Sequence, residues 1–294
     1  MDPLFGIRMS QFFAILLPLY VHWTFGGAGN QWGYEGEIGP SNWHNNYPHC
    51  AGSRQSPVSI RMNEVIVDSN WLGPFTMRGY DTRDNVCMHL ENTGYTVQVN
   101  IQGEPISITG GGLKDTYLVE QFHFHWGRLD QRGSEHDIDG IHSPMEMHIV
   151  HYNAKYKNFS EALDKSDGIV VLAFLFEVGN QNDHLDHIIS HFEEIPYRDN
   201  HTLIEPFALR EFLPKKLDIY CRYSGSLTTP PCYESVTWFI FYETIEISEE
   251  QLHSFRQDVH QNFDNGTITD ISDDFRPPQP LYKRKIYCSK KEDD

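Results

Sequence analysis

The sequence predicts a mainly β (α+β) fold: a single sheet-rich domain with short peripheral helices. Three observations carry that expectation. Segment after segment alternates apolar and polar residues with period two, as half-buried strands do. Helical patterns are few and short. The chain, 294 residues long, is rich in glycine, proline and aromatics, shows no internal repeat, and is long enough to bury a sizeable core in one domain.

The N-terminal residues stand apart. Arg8 precedes an apolar run from Phe12 to Val21, and Gly26, Gly27 and Ala28 follow. Charged, apolar and small residues in that order make a secretory signal. Residues 1–28 are therefore expected to be a signal peptide, with Met9 as an alternative start, 29–288 the folded domain, and 289–294 a charged tail. The apolar run is shorter than the roughly 20 residues a membrane span needs. Residues Lys283 to Asp294 hold no apolar tail, so the mature chain is expected to have no membrane span and to be secreted and extracellular.

Net charge is −18, with or without residues 1–28, which hold one acid (Asp2) and one base (Arg8). Such a surface argues against nucleic acid and anionic membranes. It is open to a cation or mineral-matrix contact, although a solvated acidic surface without a partner is the simpler expectation. Three N-x-S/T sequons, at Asn158, Asn200 and Asn265, are candidate glycosylation sites in a secreted chain. Of five cysteines (Cys50, Cys87, Cys221, Cys232, Cys288), none shows C-x-x-C metal spacing. Pairs are expected in an oxidising compartment, and an odd count leaves one thiol free or bridging to another chain.

In chain order, Trp32 to Pro57 is rich in Gly, Asn, Pro and Trp and reads as irregular chain over a core. Val58–Val67 and Phe75–Gly79 read as strands. Val86–Leu90 and Tyr95–Ile101 alternate around the turn Asn92-Thr-Gly94, which makes a hairpin. Gly110–Gly112 is a loop, Gln121–Gly127 a strand, Asp130–Ser143 a polar loop and Met145–Tyr152 a second strand. Phe159–Leu163 is a short helix. Ile169–Phe176 is almost wholly apolar, as a central strand covered on both faces would be. Asn182–Glu194 reads as helix, Leu217–Tyr223 and Ser235–Tyr242 as strands around Ser226–Pro231. Ser248–Phe263 reads as a helix capped by Ser248.

The chemistry concentrates in Gln121-Phe-His-Phe-His-Trp-Gly127. In a strand, residues two apart share a face, with Cα atoms roughly 6.5–7 Å apart. His123 and His125 thus project together, Gln121 shares their face, and Phe122, Phe124 and Trp126 pack on the other. On the second strand Glu146, His148 and Val150 share one face, and Met147, Ile149 and His151 the other. If the two strands pair across the 130–143 loop, either His148 or His151 can complete a three-imidazole site. Such a site leaves one tetrahedral position open, as catalytic zinc requires. A competing cluster, His184, His187 and His191, falls at i, i+3 and i+7 of the expected helix, in an acidic, solvent-facing segment.

Several stretches together resemble the α-class carbonic anhydrases: residues 121–127, Gly133-Ser-Glu-His136, Glu146-Met-His-Ile-Val-His151 and Ser226-Leu-Thr-Thr-Pro-Pro231. Gln31–Tyr34, Arg54–Pro57, Val236–Trp238 and Phe275–Pro280 support them. The resemblance runs from about residue 31 to 287. It implies a domain around a large, mostly antiparallel twisted central sheet, and a Zn2+ cofactor on His123, His125 and His148 rather than His151. The implied activity is reversible hydration of carbon dioxide to bicarbonate and a proton by zinc-bound hydroxide. Glu146 then orients His148, and Gln121 supports His123. Thr228 accepts a hydrogen bond from the hydroxide and donates to Glu135. Val150, Val171, Leu227, Thr229 and Trp238 match the substrate pocket, which must be dry beside an apolar gas. Cys50 and Cys232 match a disulfide of secreted and membrane-bound members, while Cys87, Cys221 and Cys288 have no assignment.

One departure stands out. The position after Asn-x-Gly that carries a proton-shuttling histidine in fast members is Tyr95 here. Histidine titrates near 6.5 and tyrosine near 10, so a weakened shuttle is expected. The rival expectation is a non-catalytic carbonic-anhydrase-like binding or matrix module. Inactive relatives lose a zinc histidine, and this chain keeps all three.

Overall fold

One large twisted sheet organises the computed structural model, which describes residues 32–264 and 267–290. The expected signal peptide, Asn265 and residues 291–294 lie outside the described residues. From edge to edge the strands are His201–Ile204, Val86–Asn92, Val97–Gly103, Tyr117–Trp126, Met145–Asn153, Ile169–Val178, Val236–Ile247, Tyr220–Gly225, Tyr287–Cys288 and Ile66–Val67. Phe75–Arg78 and Ser107–Gly110 pair beside Tyr117–Trp126. Among the described residues the sheet is antiparallel except where Ile169–Val178 meets Val236–Ile247 and Tyr287–Cys288 meets Ile66–Val67.

Registered partners share a face, so rows of side chains cross the sheet. One row reads Gln98, His123, His148, Ala173, Ile240. The next reads Asn100, Gln121, Val150, Val171, Trp238, Tyr223. On the opposite face, Phe122, Phe124, Met147, Ile149, Leu172, Phe174, Phe239 and Phe241 join the larger hydrophobic core. Val150, Val171, Ala173, Trp238 and Ile240 belong to a smaller core on the histidine side. Ile169–Phe176 is buried at every position, as its unbroken apolar pattern requires.

Four expectations are corrected. Val58–Val67 is not one strand: a turn closed by Glu64 N donating to Arg61 O separates Ser59–Ile60 from Ile66–Val67, and each pairs with a different distant segment. The polar loop 130–143 contains a miniature hairpin, Asp137–Ile138 with Ile141–His142. The helix expected over 182–194 shrinks to Asp186–Ile189 and a 3-10 turn, Phe192–Glu194. There the Ser190 hydroxyl donates to Asp186 O at 2.6 Å, a local bond that competes with continuing the helix. The C-terminal helix is Glu249–Gln257, with Ser248 and Gln251 forming a full capping box. Its expected second half is a strand, His260–Asp264, paired with Thr267–Asp270. The Asn265-Gly266 dipeptide between them is a strong hairpin signal that helical periodicity masked.

Two disulfides staple this frame. Cys50–Cys232 forms, with Cα atoms 4.9 Å apart, across 182 residues. The chain-entropy model gives a loop of that size about 5 kcal/mol. Cys221 and Cys288, directly opposed on neighbouring strands, form the second bond, and Cys87 is free and exposed. Alkylation of the native, unreduced protein should therefore label Cys87 alone. Cys50→Ser with Cys232→Ser should cost about 2–5 kcal/mol in denaturant unfolding. Labelling at Cys221 or Cys288 would contradict the pairing.

Candidate metal centre

The first histidine strand, Tyr117–Trp126, is fixed from behind by its aromatic face. Phe122 packs on Phe207 and Phe212, and Phe124 on Phe176 and Phe255. Pairing with Met145–Asn153 sets His148 directly opposite His123 and Glu146 opposite His125. A bulge between Val150 and His151 ends this register. His151 points the other way and meets the Tyr80 hydroxyl at 2.7 Å, inside the larger core. The choice that strand periodicity left open thus falls to His148.

Each of the three imidazoles has one nitrogen committed to a fixed acceptor. His123 Nδ1 donates to Gln121 Oε1 at 2.8 Å, His125 Nδ1 to the Asp274 carbonyl at 2.7 Å, and His148 Nε2 to Glu146 Oε1 at 2.7 Å. The remaining nitrogens are lone-pair acceptors that converge, all within 4.8 Å of one another. His123 Nε2 and His148 Nδ1 are 3.3 Å apart, and His125 Nε2 is buried with no hydrogen-bond partner. Two ligand nitrogens at Zn–N 2.0–2.1 Å in a tetrahedron would be about 3.3 Å apart. The residues present fit a zinc ion. His136, Glu146 and His148 also cluster, but there the polar atoms satisfy one another, so that group is a support and not a site.

The electrostatics favour the neutral form at two of the three imidazoles. Burial, then the neighbouring histidines His125 and His148, hold His123 well below the usual imidazole range. Burial also lowers His148, against the opposing pull of Glu146. At His125 burial pulls down, but Glu135 and Asp274 outweigh it and raise the ring, so the same carboxylates favour a cation at that nitrogen. Glu146 is fully buried; burial pushes it up, yet the N–H groups of His136 and His148 hold it well below the carboxylate range. Beyond it His136 Nε2 lies 2.7 Å from the Tyr223 hydroxyl, which lies 2.9 Å from Ser56 Oγ.

The loop carrying Thr228 is held at several points. The Trp238 indole donates to Ser226 O, Ser56 N to Ser226 Oγ, and Cys232 N to Thr229 O, while the Cys50–Cys232 bond ties its end. Thr228 is buried. Glu135 is also buried; Oε1 accepts from Arg276 N at 2.9 Å, and Oε2 has no hydrogen-bond partner, 3.6 Å from His125 Nε2. Val150, Val171 and Trp238 are buried, and Leu227 packs against the same apolar cluster. Tyr95 follows Gly94, whose φ of +78° and missing side chain let Arg198 lie close. Its ring stacks on Trp32, centroids 4.0 Å apart, with the Arg198 guanidinium 5.0 Å from its centroid.

Elsewhere, Asn158 is exposed and its Oδ1 caps the short helix Phe159–Ala162. Asn200 is half-buried, with Oδ1 accepting from Tyr197 N. The competing histidine cluster regroups: His184 and His187 come together with Glu211, whereas His191 pairs with Glu194. Sequence reasoning missed His136, Tyr223, Asp274 and Arg276. Asp274 acts at the site through its backbone carbonyl, which no side-chain pattern announces.

Residues 38–290 match the family model of the eukaryotic-type carbonic anhydrases. The chain is 36% identical to carbonic anhydrase 12 of Homo sapiens over 264 residues, 89% of this chain and 73% of that protein. It is 37% identical to carbonic anhydrase 7 of Mus musculus over 263 residues, 88% of this chain and 97% of that one.

The placement of His151 has a thermodynamic consequence. Burial takes its imidazole from 6.5 to about 3, so within that window the unfolded chain binds a proton that the folded chain refuses. This stability is complete above the unfolded value and is lost as pH falls, at about 1.4 kcal/mol per unit. Urea unfolding of a Tyr80→Phe/His151→Leu double variant should show an acid-side slope flatter by that amount between about pH 6 and 4. An unchanged slope would refute the assignment.

Proposed function

The chain belongs to the eukaryotic-type carbonic anhydrase family, and from that premise we propose that it catalyses zinc-dependent reversible hydration of carbon dioxide to bicarbonate and a proton. The observation that carries the zinc requirement is the convergence of three committed imidazoles, with the orphaned His125 Nε2 buried among them. His123, His125 and His148 would hold the ion. Zinc supplies Lewis-acid chemistry there, making water acidic enough to act as a nucleophile near neutral pH.

The protein's own residues do the rest. Gln121, the Asp274 carbonyl and Glu146 keep each ligand nitrogen unprotonated and aimed. The expected bond from the Thr228 hydroxyl to Glu135 is not formed in the structure, where Glu135 Oε2 is a buried acceptor without a partner; in this reading Thr228 donates to it in the working enzyme. That commitment turns the Thr228 oxygen into an acceptor that orients the attacking water. Val150, Val171, Leu227 and Trp238 give carbon dioxide, which needs no hydrogen bond, a dry wall. Thr229 follows Thr228 in the same loop, its carbonyl accepting from Cys232 N.

Proton release is the weak step in this reading. Tyr95 stands where an imidazole relay would serve, and its ring is clasped between Trp32 and Arg198. The two disulfides, the sequons at Asn158, Asn200 and Asn265, and the N-terminal signal pattern support a secreted glycoprotein. No observation favours the non-catalytic module or a mineral-matrix contact.

After exhaustive dialysis the purified protein should retain one zinc per chain and hydrate carbon dioxide. His148→Ala should lose both, activity falling more than about a hundredfold, since removing even a ligand's supporting partner costs 10–100-fold. Retained zinc without hydration would refute the enzymatic reading. Tyr95→His should raise turnover in weak buffer, and added imidazole should narrow its advantage over the unsubstituted protein. Equal turnover of the two in weak buffer would remove the proposed shuttle limitation.

A further inference from the structure

Away from the three-histidine centre, one group of ligand-type side chains among the described residues is assembled from separate segments. Ligand atoms of His184, His187 and Glu211 lie within 4.8 Å of one another. The two histidines share a turn, since His187 N donates to His184 O at 3.3 Å, which sets their side chains three apart on one face. Glu211 arrives from the 3-10 turn Leu209–Phe212.

A common support holds both halves. The His187 ring stacks on Phe207, centroids 5.4 Å and planes 17° apart, and Phe207 stacks on Phe212 at 4.5 Å. Phe207 and Phe212 are buried, and Phe212 directly follows Glu211 in the chain. The aromatic pair that seats His187 therefore also seats the turn presenting the carboxylate. Arg83 Nη2 donates to Glu211 Oε1 at 2.7 Å, steadying that carboxylate while opposing a cation by its charge. Asp186, within the same turn, is no competing ligand: Gln251 and Gln181 donate to its two oxygens.

We propose that His184, His187 and Glu211 form a second, surface-exposed site for a divalent transition cation of the zinc type. Two imidazoles and one carboxylate select such ions over calcium or magnesium, which take oxygen ligands. Water completes the coordination, so the site is weaker than the three-histidine centre and exchanges with solvent.

The test is calorimetric titration of the untagged, dialysed full chain, already carrying the metal of its three-histidine centre, with Zn2+. A second equivalent should bind, and His184→Ala or Glu211→Gln should weaken it tenfold or more with carbon dioxide hydration unchanged. His187→Ala should do the same; because its ring packs on Phe207, the other two variants decide if it misfolds. His148→Ala should abolish the dialysis-resistant metal and keep the second equivalent, which separates this proposal from the three-histidine assignment. Absence of a second equivalent, its persistence in both His184→Ala and Glu211→Gln, or its displacement by millimolar Ca2+ would overturn the proposal.

Discussion

His148 stands opposite His123 because Tyr117–Trp126 and Met145–Asn153 pair antiparallel in one register, and every other feature of the site depends on that register. A slip of one residue would turn His148 into the core and bring Met147 or Ile149 to the histidine face, because strand side chains alternate faces. The aromatic cluster behind the first strand and the apolar residues behind the second make such a slip prohibitive. Each strand would have to expose several core side chains at about 1.5–3 kcal/mol apiece. The hydrophobic core thus sets the positions of the polar site.

Polar groups then set the state of each ring. A buried carboxylate without partners would take up a proton; Glu146 keeps its charge because His136 and His148 both donate to Oε1 and His136 N donates to Oε2. That charge holds the proton on His148 Nε2 and leaves Nδ1 facing its neighbours. Gln121 and the Asp274 carbonyl fix the other two rings by neutral acceptors, so one ring leans on an anion and two on dipoles. The arrangement leaves three lone pairs converging where a cation could be held.

Long-range ties complete the frame. Arg276 donates through its guanidinium to Gln55 Oε1, Ser56 O and Cys50 O, and through its backbone to Glu135. It joins the N-terminal loop, the disulfide and the Glu135 segment at one point. Burial lowers this guanidinium to about 10, well above neutral pH, so it stays charged. The second disulfide joins adjacent strands at the far end of the row that carries His148, with Cys221 opposite Ile240 and three strands beyond His148.

Period two is written into the chain, and so the sequence by itself determined that His123 and His125 share a face, that Ile169–Phe176 is a central strand, and that Ser248 starts a helix. Motif resemblance added the choice of His148 and the Cys50–Cys232 bond. Local patterns misled where two tendencies compete within a few residues, as at Ser190, where a side-chain hydroxyl takes the helix carbonyl, and after Gln257, where the Asn-Gly sequence favours a hairpin over a longer helix. What only the tertiary structure decided are contacts between residues far apart in the chain. These include Asp274 O on His125, His136 and Tyr223 beyond Glu146, Cys221 with Cys288, and Glu211 beside His184 and His187. A strand's own alternation fixes which way a side chain points; its partner is fixed by the pairing of whole strands and the packing of whole faces, which no local window contains.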